Sequence, residues 1–270
     1  MKAIGLGVAG AVVNRAVRVT SLPWVIESEV VAAKLGLKPS HVHIINDLVA
    51  TGHGLRALPP SALVTLQEGT ADEEACAGLI AAGTGLGETI LVRVGVTHLP
   101  VPSEGGHADF AARTDREIEL VKMLRERFGR AEVEQVLSGP GLVNLHRFTH
   151  RGGQCEMLEG VDETDAPARI SQAGLSGRCQ QCADALRMFV SAYGAEAGNL
   201  TLRTMATSGV YVGGGIAPKI LPALKTGVFM EAFVTKEPMR ELLERVPVKV
   251  ILNPQAGLIG AAVHAQSLIQ

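Results

Sequence analysis

Apolar residues occur in short runs near the start of the chain, and polar residues or glycines separate the runs. Ala3–Val8, Val12–Thr20 and His41–Ile45 are apolar enough to predict three strands. Between them, Ser28–Leu35 has the pattern of an amphipathic helix that ends at Gly36. Strands that alternate with helices in this way predict a parallel or mixed α/β sheet.

Glycine-rich turns separate the apolar segments in the middle of the chain. Gly78–Ala82 and Thr89–Val94 predict two strands joined by the loop Gly83–Gly87. A capping box at its start and a glycine after its end delimit a helix over 114–128. Arg130–Leu137 predicts a second short helix that ends at the Ser-Gly-Pro-Gly stretch after it.

The order of the remaining segments predicts two lobes. Ala57–Ala75 is loosely patterned, with prolines and an acidic run, and we expect a linker there. A long helix, two strands and a last helix are predicted at Cys179–Leu202, Gly209–Val212, Lys249–Leu252 and Gly257–Leu268. We assign residues 1–57 and 254–270 to a small lobe and residues 58–253 to a large lobe, with a cleft between them.

Composition excludes several classes of protein. The 270 residues are 47% hydrophobic with a formal net charge of −2, which excludes a disordered chain. The small net charge and the few aromatic residues (one Trp, two Tyr and six Phe) argue against a nucleic-acid partner. Polar residues interrupt the longest uncharged stretch, Val250–Gln270, so it predicts no membrane span. Glycines interrupt the apolar start, which predicts a strand rather than a signal peptide, and we expect a cytosolic protein.

Four cysteines do not form a disulfide framework in a chain of this length. Cys179 and Cys182 have CxxC spacing, which zinc sites and redox sites share. No second close pair and no HxxxH follow them along the chain. We therefore interpret them as two thiols on one helix.

Asn46 and Asp47 follow the strand predicted at His41–Ile45 and precede a helix that we expect to run through Leu55. Ligands bind outside the carboxyl ends of strands in open α/β sheets, and a carboxylate there can accept a proton from a substrate hydroxyl. Either residue could instead cap the free amides of the following helix. Both interpretations stay open at this point.

Two glycine-rich segments follow predicted strands. In Gly83-Thr84-Gly85-Leu86-Gly87 the backbone amides can approach a phosphate closely, and Thr84 adds a hydroxyl. A strand follows this loop, so it is neither a lysine P-loop nor a Rossmann fingerprint, and a plain glycine hairpin is the alternative. Gly213-Gly214-Gly215 could lie flat under an adenine ring or form a simple turn.

Three polar residues are candidates for binding sugar hydroxyls. Glu104 and His107 flank a glycine pair, which lets both side chains point into one site. A carboxylate and an imidazole can accept from and donate to the same hydroxyls. Glu134 lies on the predicted second short helix, where it would otherwise be an ordinary surface glutamate. A solvated glutamate and a structural histidine are the alternative for Glu104 and His107.

Together these segments resemble the bacterial ATP-dependent glucokinase family of the actin, heat-shock ATPase and hexokinase superfamily. The resemblance covers nearly the whole chain. Its motifs are Gly7-Val-Ala-Gly10, Val19-Thr-Ser-Leu-Pro-Trp24, Ile45-Asn-Asp47, Ala82-Gly-Thr-Gly-Leu-Gly87, Pro102-Ser-Glu-Gly-Gly-His107 with Asp109-Phe110, Val136-Leu-Ser-Gly-Pro-Gly141 and Gly213-Gly-Gly-Ile-Ala217. It implies a two-lobed, actin-like (ribonuclease H-like) α/β fold with an incomplete N-terminal lobe.

The resemblance also implies a role for each matching residue on the sugar side. Asp47 would be the general base on the 6-hydroxyl of glucose. Asn46, Glu104, His107 and Glu134 would hold the remaining hydroxyls.

On the nucleotide side, the resemblance implies ATP as phosphoryl donor, with Mg²⁺ bridging phosphate oxygens. Gly83-Thr84-Gly85 would be the second of the family's two phosphate loops, and Gly213–Gly215 would contact adenosine. The family also leads us to expect a homodimer, and it tends to have a cysteine pair where Cys179 and Cys182 lie.

The sequence departs from the family pattern in two places. The family's opening hairpin, Asp-x-Gly-Gly-Thr-Asn, does not occur in these 270 residues, which would remove half of the phosphate cradle and expose sheet edges at Ala3 and Val12. We favour a fragment or an internal start as the reason, over a short sugar-binding protein or a loop supplied by another chain. The alternative function is therefore a non-catalytic sugar-binding or regulatory remnant. Ser21 replaces the family's usual Asn and could alter the sugar side of the cleft.

Overall fold

The computed structural model describes residues 2–20, 22–151 and 153–269. Ser21 lies outside the described residues. The strands are β1 Ile4–Val8, β2 Val12–Val13, β3 Ala16–Arg18, β4 Val25–Glu27, β5 Val42–Asn46, β6 Leu63–Gln67, β7 Ala77–Ala82, β8 Leu86–Val94, β9 Thr97–Ser103, β10 Gly209–Gly213 and β11 Val248–Ile251. The helices are α1 Ser28–Leu35, α2 Asp47–Gly54, α3 Asp115–Phe128, α4 Gly139–His150, α5 Ala166–Leu175, α6 Gln180–Thr204, α7 Leu221–Leu224, α8 Val228–Val234, α9 Arg240–Leu243 and α10 Ala256–Ser267.

A six-stranded mixed sheet forms the centre of the molecule. Its order is β6-β11-β10-β7-β8-β9, and the inner strands β11, β10 and β7 are mutually parallel. Helix α6 packs against β7 and β10 and is itself covered by α4, α5 and α8. Phe189 and Tyr193 of α6 are fully buried. This cluster is the main hydrophobic core of the chain.

The first part of the chain forms smaller sheets. β1 and β5 pair in parallel, as the alternation of strands and helices predicted, while β2, β3 and β4 form a separate antiparallel sheet. The last helix, α10, packs against α2 and β1. Gly260 allows this close approach, because a Cβ there would collide with the carbonyl of Ala50. The two ends of the described chain therefore pack against each other.

Three sequence expectations were wrong. The strand predicted over Val12–Thr20 is the hairpin β2–β3, because Asn14 and Arg15 turn with φ of 50° and 61°. The linker predicted over Ala57–Ala75 contains β6, which pairs antiparallel with β11. Beside this pair, the Leu252 amide donates to the Ala62 carbonyl at 2.8 Å.

The third error concerns Arg130–Leu137, which forms turns rather than a helix. Two of its amides bond outward, since Val133 N donates to Ala108 O at 3.0 Å and Glu134 N to Gly106 O at 2.8 Å. The stretch after it begins helix α4, with Ser138 as the N-cap, rather than ending a helix. Among the described residues, no helix is both long and apolar enough to cross a membrane.

Candidate active site

Two glycine turns lie side by side where β7 and β10 end. The strands are parallel and place Gly213 opposite Ala81, so the turns that follow leave the same edge of the sheet. Gly214 has φ of 83°, and a Cβ there would collide with the Ala82 carbonyl. Only glycine fits this approach. The adjacent turns are therefore the two segments predicted to bind phosphate and adenosine.

The hydroxyl of Tyr193 contacts the residue before each of the two turns. It accepts from the Ala82 amide at 3.1 Å and lies 3.1 Å from the Gly213 carbonyl, to which it can donate. Tyr193 is fully buried, so removal of its hydroxyl would weaken buried hydrogen bonds at the ends of both strands. Nothing in the sequence around Tyr193 indicates this role, since a tyrosine in an apolar helical stripe is typical of a core residue.

The turn at Gly83-Thr84-Gly85 is held from both sides. The Gly83 amide donates to Gly85 O, and the amide of Gly139, the first residue of α4, donates to Gly83 O, both at 2.8 Å. A Cβ at Gly83 or at Gly215 would meet nothing within 4 Å. Both turns are thus open on their outer side, where an anion could approach the backbone.

Glu134 lies beneath the same turn. Its Oε2 accepts from the Leu86 amide at 2.8 Å, and a Cβ on Gly85 would be 2.5 Å from that oxygen. The turn that carries Glu134 also bonds to the loop that carries His107, through Gly106 O. The structure therefore brings together Glu134, the glycine turn and the loop that follows β9.

His107 lies near the carboxylates of Glu104, Glu132 and Glu134. It is exposed, and its Nδ1 lies 2.7 Å from Glu132 Oε2. The hydrogen bond to Glu132 raises the pKa of His107, and the negative charges of Glu134, Glu132 and Glu104 add to this against a smaller opposing effect of burial. When the imidazole is protonated, both nitrogens donate, and Nε2 is then a donor available to a ligand hydroxyl. Glu132 was missed because it resembled any surface glutamate.

A buried acid lies under this loop. Glu88 of β8 is 2% exposed, and its Oε2 occupies the space that a Cβ on Gly105 would need. Burial raises the pKa of Glu88 to about 8, and the nearby charge of Glu196 adds to the rise, while Arg203 opposes it. The Glu88 carboxyl is therefore largely protonated at neutral pH. No local pattern distinguishes this glutamate in the sequence.

The structure shows which of Asn46 and Asp47 caps helix α2. Asn46 is the N-cap of α2, because its Oδ1 accepts from the amides of Leu48 and Val49 at 2.9 and 3.2 Å. Its Nδ2 donates to Gly10 O at 3.4 Å. Asp47 is the first residue of the helix and is exposed, with Oδ1 accepting from the Leu48 amide. The cap function falls to Asn46 and leaves the Asp47 carboxylate facing solvent.

Leu48 connects this helix start to the glycine hairpin. A Cβ on Gly87 would lie 2.8 Å from the Leu48 side chain, so the two are in close contact. Gly87 pairs with Ala81 near the end of β7. The N-terminus of α2 therefore lies against the hairpin whose turn is the candidate phosphate loop.

Comparison with known proteins places the chain among sugar kinases along nearly its whole length. The sequence model of the glucokinase family matches residues 1–268. A glucokinase from Nostoc punctiforme is 40% identical over 278 residues, which is 97% of this chain and 81% of the relative. The crystal structure of a glucokinase from an Antarctic psychrotroph has a TM-score of 0.83 at 29% identity and covers 97% of this chain and 79% of that one.

A more distant structure shares the fold. A ROK-family glucokinase from Streptomyces griseus, solved with glucose and AMPPNP, has a TM-score of 0.67 at 21% identity and covers 99% of this chain and 82% of that one. These structures confirm the actin-like ATPase fold that the sequence predicted.

Proposed function

Because the chain belongs to the glucokinase family, we propose that it transfers the γ-phosphoryl group of ATP to the 6-hydroxyl of glucose. The observation that carries the proposal is that two adjacent open glycine turns lie beside the loop of His107, whose imidazole is bonded to Glu132 and influenced by the charges of Glu104 and Glu134. Phosphoryl transfer depends mainly on positioning and on charge neutralisation, and these groups are suited to both.

Asp47 is our candidate for the general base. A base must reach the proton that it removes, and an exposed carboxylate at the start of α2 is accessible to a bound sugar. Asn46 fixes the helix start and so fixes where Asp47 points. Its second amide hydrogen can still donate to a sugar hydroxyl.

His107, Glu104 and Glu134 would orient the sugar. Protonated His107 donates through Nε2, while the two carboxylates accept from hydroxyls. Hydrogen bonds that involve a charged partner are stronger than neutral ones, so a hydroxyl misplaced or missing in another hexose would leave a charged group poorly paired. Glu132 is a positioning residue, since it holds the imidazole through Nδ1.

The two glycine turns would hold ATP, with the phosphates at Gly83-Thr84-Gly85 and the adenosine at Gly213–Gly215. Mg²⁺ takes few protein ligands when phosphates and water supply the rest. The exposed Thr84 hydroxyl at the phosphate turn is an oxygen donor of the kind that this ion prefers, and it would hold the ion directly or through water. When bound, the ion would neutralise phosphate charge.

We further propose that residues 1–57 with 254–270 form one lobe and residues 58–253 the other, so that closure over the sugar would exclude water. Packing of α10 on α2 and β1 supports this division. A cytosolic location is supported by the four cysteines, all free thiols. The proposal of a homodimer rests on the family resemblance, and light scattering after gel filtration measures it.

The decisive experiment is a coupled glucose phosphorylation assay with Mg-ATP on this 270-residue chain, together with calorimetric titration of glucose. We expect Asp47→Asn to lower kcat by about 10²–10⁴-fold, which is the usual contribution of a general base, while glucose affinity changes by less than about tenfold. Asp115→Asn is the matched control, because Asp115 is also an exposed first residue of a helix, α3.

Retained turnover in Asp47→Asn would remove Asp47 from the chemistry. Glucose binding without turnover in the unmodified chain would instead support the non-catalytic alternative.

A further inference from the structure

A cluster of histidines and thiols lies outside the candidate active site. His146 and His150 lie on the last turns of α4, Cys155 follows in the next segment, and Cys182 lies in the first turn of α6. One donor atom from each of these four residues lies within 4.8 Å of one donor atom from every other. Helix α4 brings its two histidines to one face because they are four residues apart.

The spacing of the sulfurs suits a metal. Cys155 Sγ and Cys182 Sγ are 3.9 Å apart. Two zinc–sulfur bonds of about 2.3 Å at a tetrahedral angle would place two sulfurs about 3.8 Å apart. The observed distance between the two sulfurs is therefore close to one edge of a zinc tetrahedron.

Each histidine has a ring nitrogen among the clustered donor atoms. His150 Nδ1 lies 2.9 Å from the carbonyl of His146. Donation to that carbonyl would fix the tautomer whose Nε2 can bind a metal. His146 is 94% buried, and its Nε2 has no hydrogen-bond partner among the residues that the structure describes. A buried nitrogen without a partner is costly, and a metal ion would satisfy it.

We propose that His146, His150, Cys155 and Cys182 bind one Zn²⁺ ion as a structural His₂Cys₂ site. Soft thiolates with imidazoles in a tetrahedral arrangement select zinc over Mg²⁺ or Ca²⁺, which prefer oxygen ligands. The ion would join the end of α4, the segment at Cys155 and the start of α6. This proposal does not depend on the proposed kinase function.

Cys179 lies beside the cluster but has another role. Its sulfur accepts from the Cys182 amide at 3.4 Å and so caps α6. It also lies 3.4 Å from His150 Nε2, close to the proposed ion. We assign it to the surroundings of the site rather than to the four ligands, and the Cys179→Ser variant tests this assignment.

The test begins with the full chain, purified without chelators and analysed for metal by inductively coupled plasma mass spectrometry. We expect about one zinc ion per chain, as for a closed structural site. Replacement by Co²⁺ should then give the intense visible bands of tetrahedral thiolate coordination. Removal of zinc by a strong chelator should lower the Tm, and restored zinc should recover it.

Variants assign the ligands. Cys155→Ser and His150→Asn, both at half-buried positions, should each weaken zinc binding by about tenfold or more, since each removes a ligand from a four-coordinate site. Cys76→Ser and His41→Asn are matched controls outside the cluster and should retain zinc, as should Cys179→Ser. A circular dichroism spectrum of each variant confirms that the chain is folded.

Three results would overturn the proposal. The first is a folded chain that takes up no zinc when titrated with the metal. The second is full zinc retention in both Cys155→Ser and His150→Asn. The third is a Cys155–Cys182 disulfide in the intact mass of protein purified under reducing conditions, because both sulfurs would then be unavailable to a metal.

Discussion

The first 27 residues and helix α6 carry similar apolar side chains but bury them to very different extents. Val13, Trp24 and Val25 are 63%, 60% and 51% exposed, whereas Phe189 and Tyr193 of α6 are fully buried. Strands β2 to β4 form a sheet of their own, while α6 lies on the main sheet and under three helices. Burial thus follows the number of covering elements rather than the apolar pattern. The less buried first region precedes Asp47 in the chain, whereas α6 supports the two glycine turns through Tyr193.

The largest expected effect separates the two regions by stability. Phe189→Ala should lower the free energy of unfolding by about 3–5 kcal/mol, because a fully buried ring leaves a cavity. Trp24→Ala should change it by less than about 0.5 kcal/mol, as for an exposed side chain. Equilibrium urea unfolding followed by circular dichroism measures both. Equal losses would show that the first region is as tightly packed as the core.

Two glycines at close helix–helix contacts, one in α6 and one in α10, allow a direct comparison of the stability of the core and of the packed chain ends. Gly194 lets α6 approach α8, where a Cβ would collide with Phe229 O, and Gly260 lets α10 approach α2 at Ala50 O. Each replacement by Ala should cost about 1–3 kcal/mol through overpacking. We expect Gly194→Ala to reduce global stability.

Gly260→Ala should act more locally, because it separates two helices that pack at the ends of the chain. Hydrogen exchange should then rise first in residues 2–57 and 256–267. If both variants instead lost protection from hydrogen exchange uniformly along the chain, the two regions would unfold together and the expected difference would be wrong.

Two carboxyl groups, those of Asp47 and Glu88, also differ in burial, which affects how stability depends on pH. Asp47 is exposed, whereas Glu88 is buried and its pKa is raised to about 8. An acid with a raised folded-state pKa stabilises the fold fully below its unfolded pKa of about 4.3 and loses that contribution as pH rises through about 8.

Glu88→Gln should therefore flatten the pH dependence of unfolding, by about 2 kcal/mol between pH 5 and pH 6.5. Parallel pH profiles of wild type and variant would show that Glu88 ionises freely in the folded protein. Glu104→Gln, at an exposed position on the loop above, is the control.

The smallest expected effect concerns Tyr193. Tyr193→Phe removes the hydroxyl that bonds Ala82 N and Gly213 O and should lower stability by about 1 kcal/mol. Because those two groups flank the glycine turns, the KM for ATP should rise more than the KM for glucose. Phe189→Leu, one turn away in the same core, should leave the ratio of the two KM values unchanged. An unchanged ratio in Tyr193→Phe would limit this residue to a packing role.

Elements whose boundaries depend on residues close by in the sequence could be predicted from the sequence. The Thr114 side chain caps α3 and Gly129 ends it with φ of 83°, as the capping pattern indicated. β6 was missed, because a short strand at Leu63–Gln67 is defined by pairing with β11, which lies far along the chain. The turn over Arg130–Leu137 has helical apolar spacing, but the amides of Val133 and Glu134 bond to the loop after β9 instead.

The same distinction applies to the sites. Motif residues were found because the family resemblance points to them. Glu132, Glu88 and Tyr193 act through contacts between distant segments, which no local pattern reports. In the thiol cluster, no HxxxH pair follows the CxxC pair along the chain. The two histidines, His146 and His150, instead precede the CxxC pair and lie on another helix. Metal ligands need to meet in space, and their order along the chain is free.

The hydrogen bond between Leu252 and Ala62 constrains how the proposed lobes can move. In the proposed division, the chain would pass from the small lobe to the large one before Ala62 and return after Leu252, so this bond would hold the two covalent crossings next to each other. Two adjacent crossings would favour rotation of one lobe about a single hinge axis over sliding. Each closure would then bring Asp47 back to the same place over the sugar.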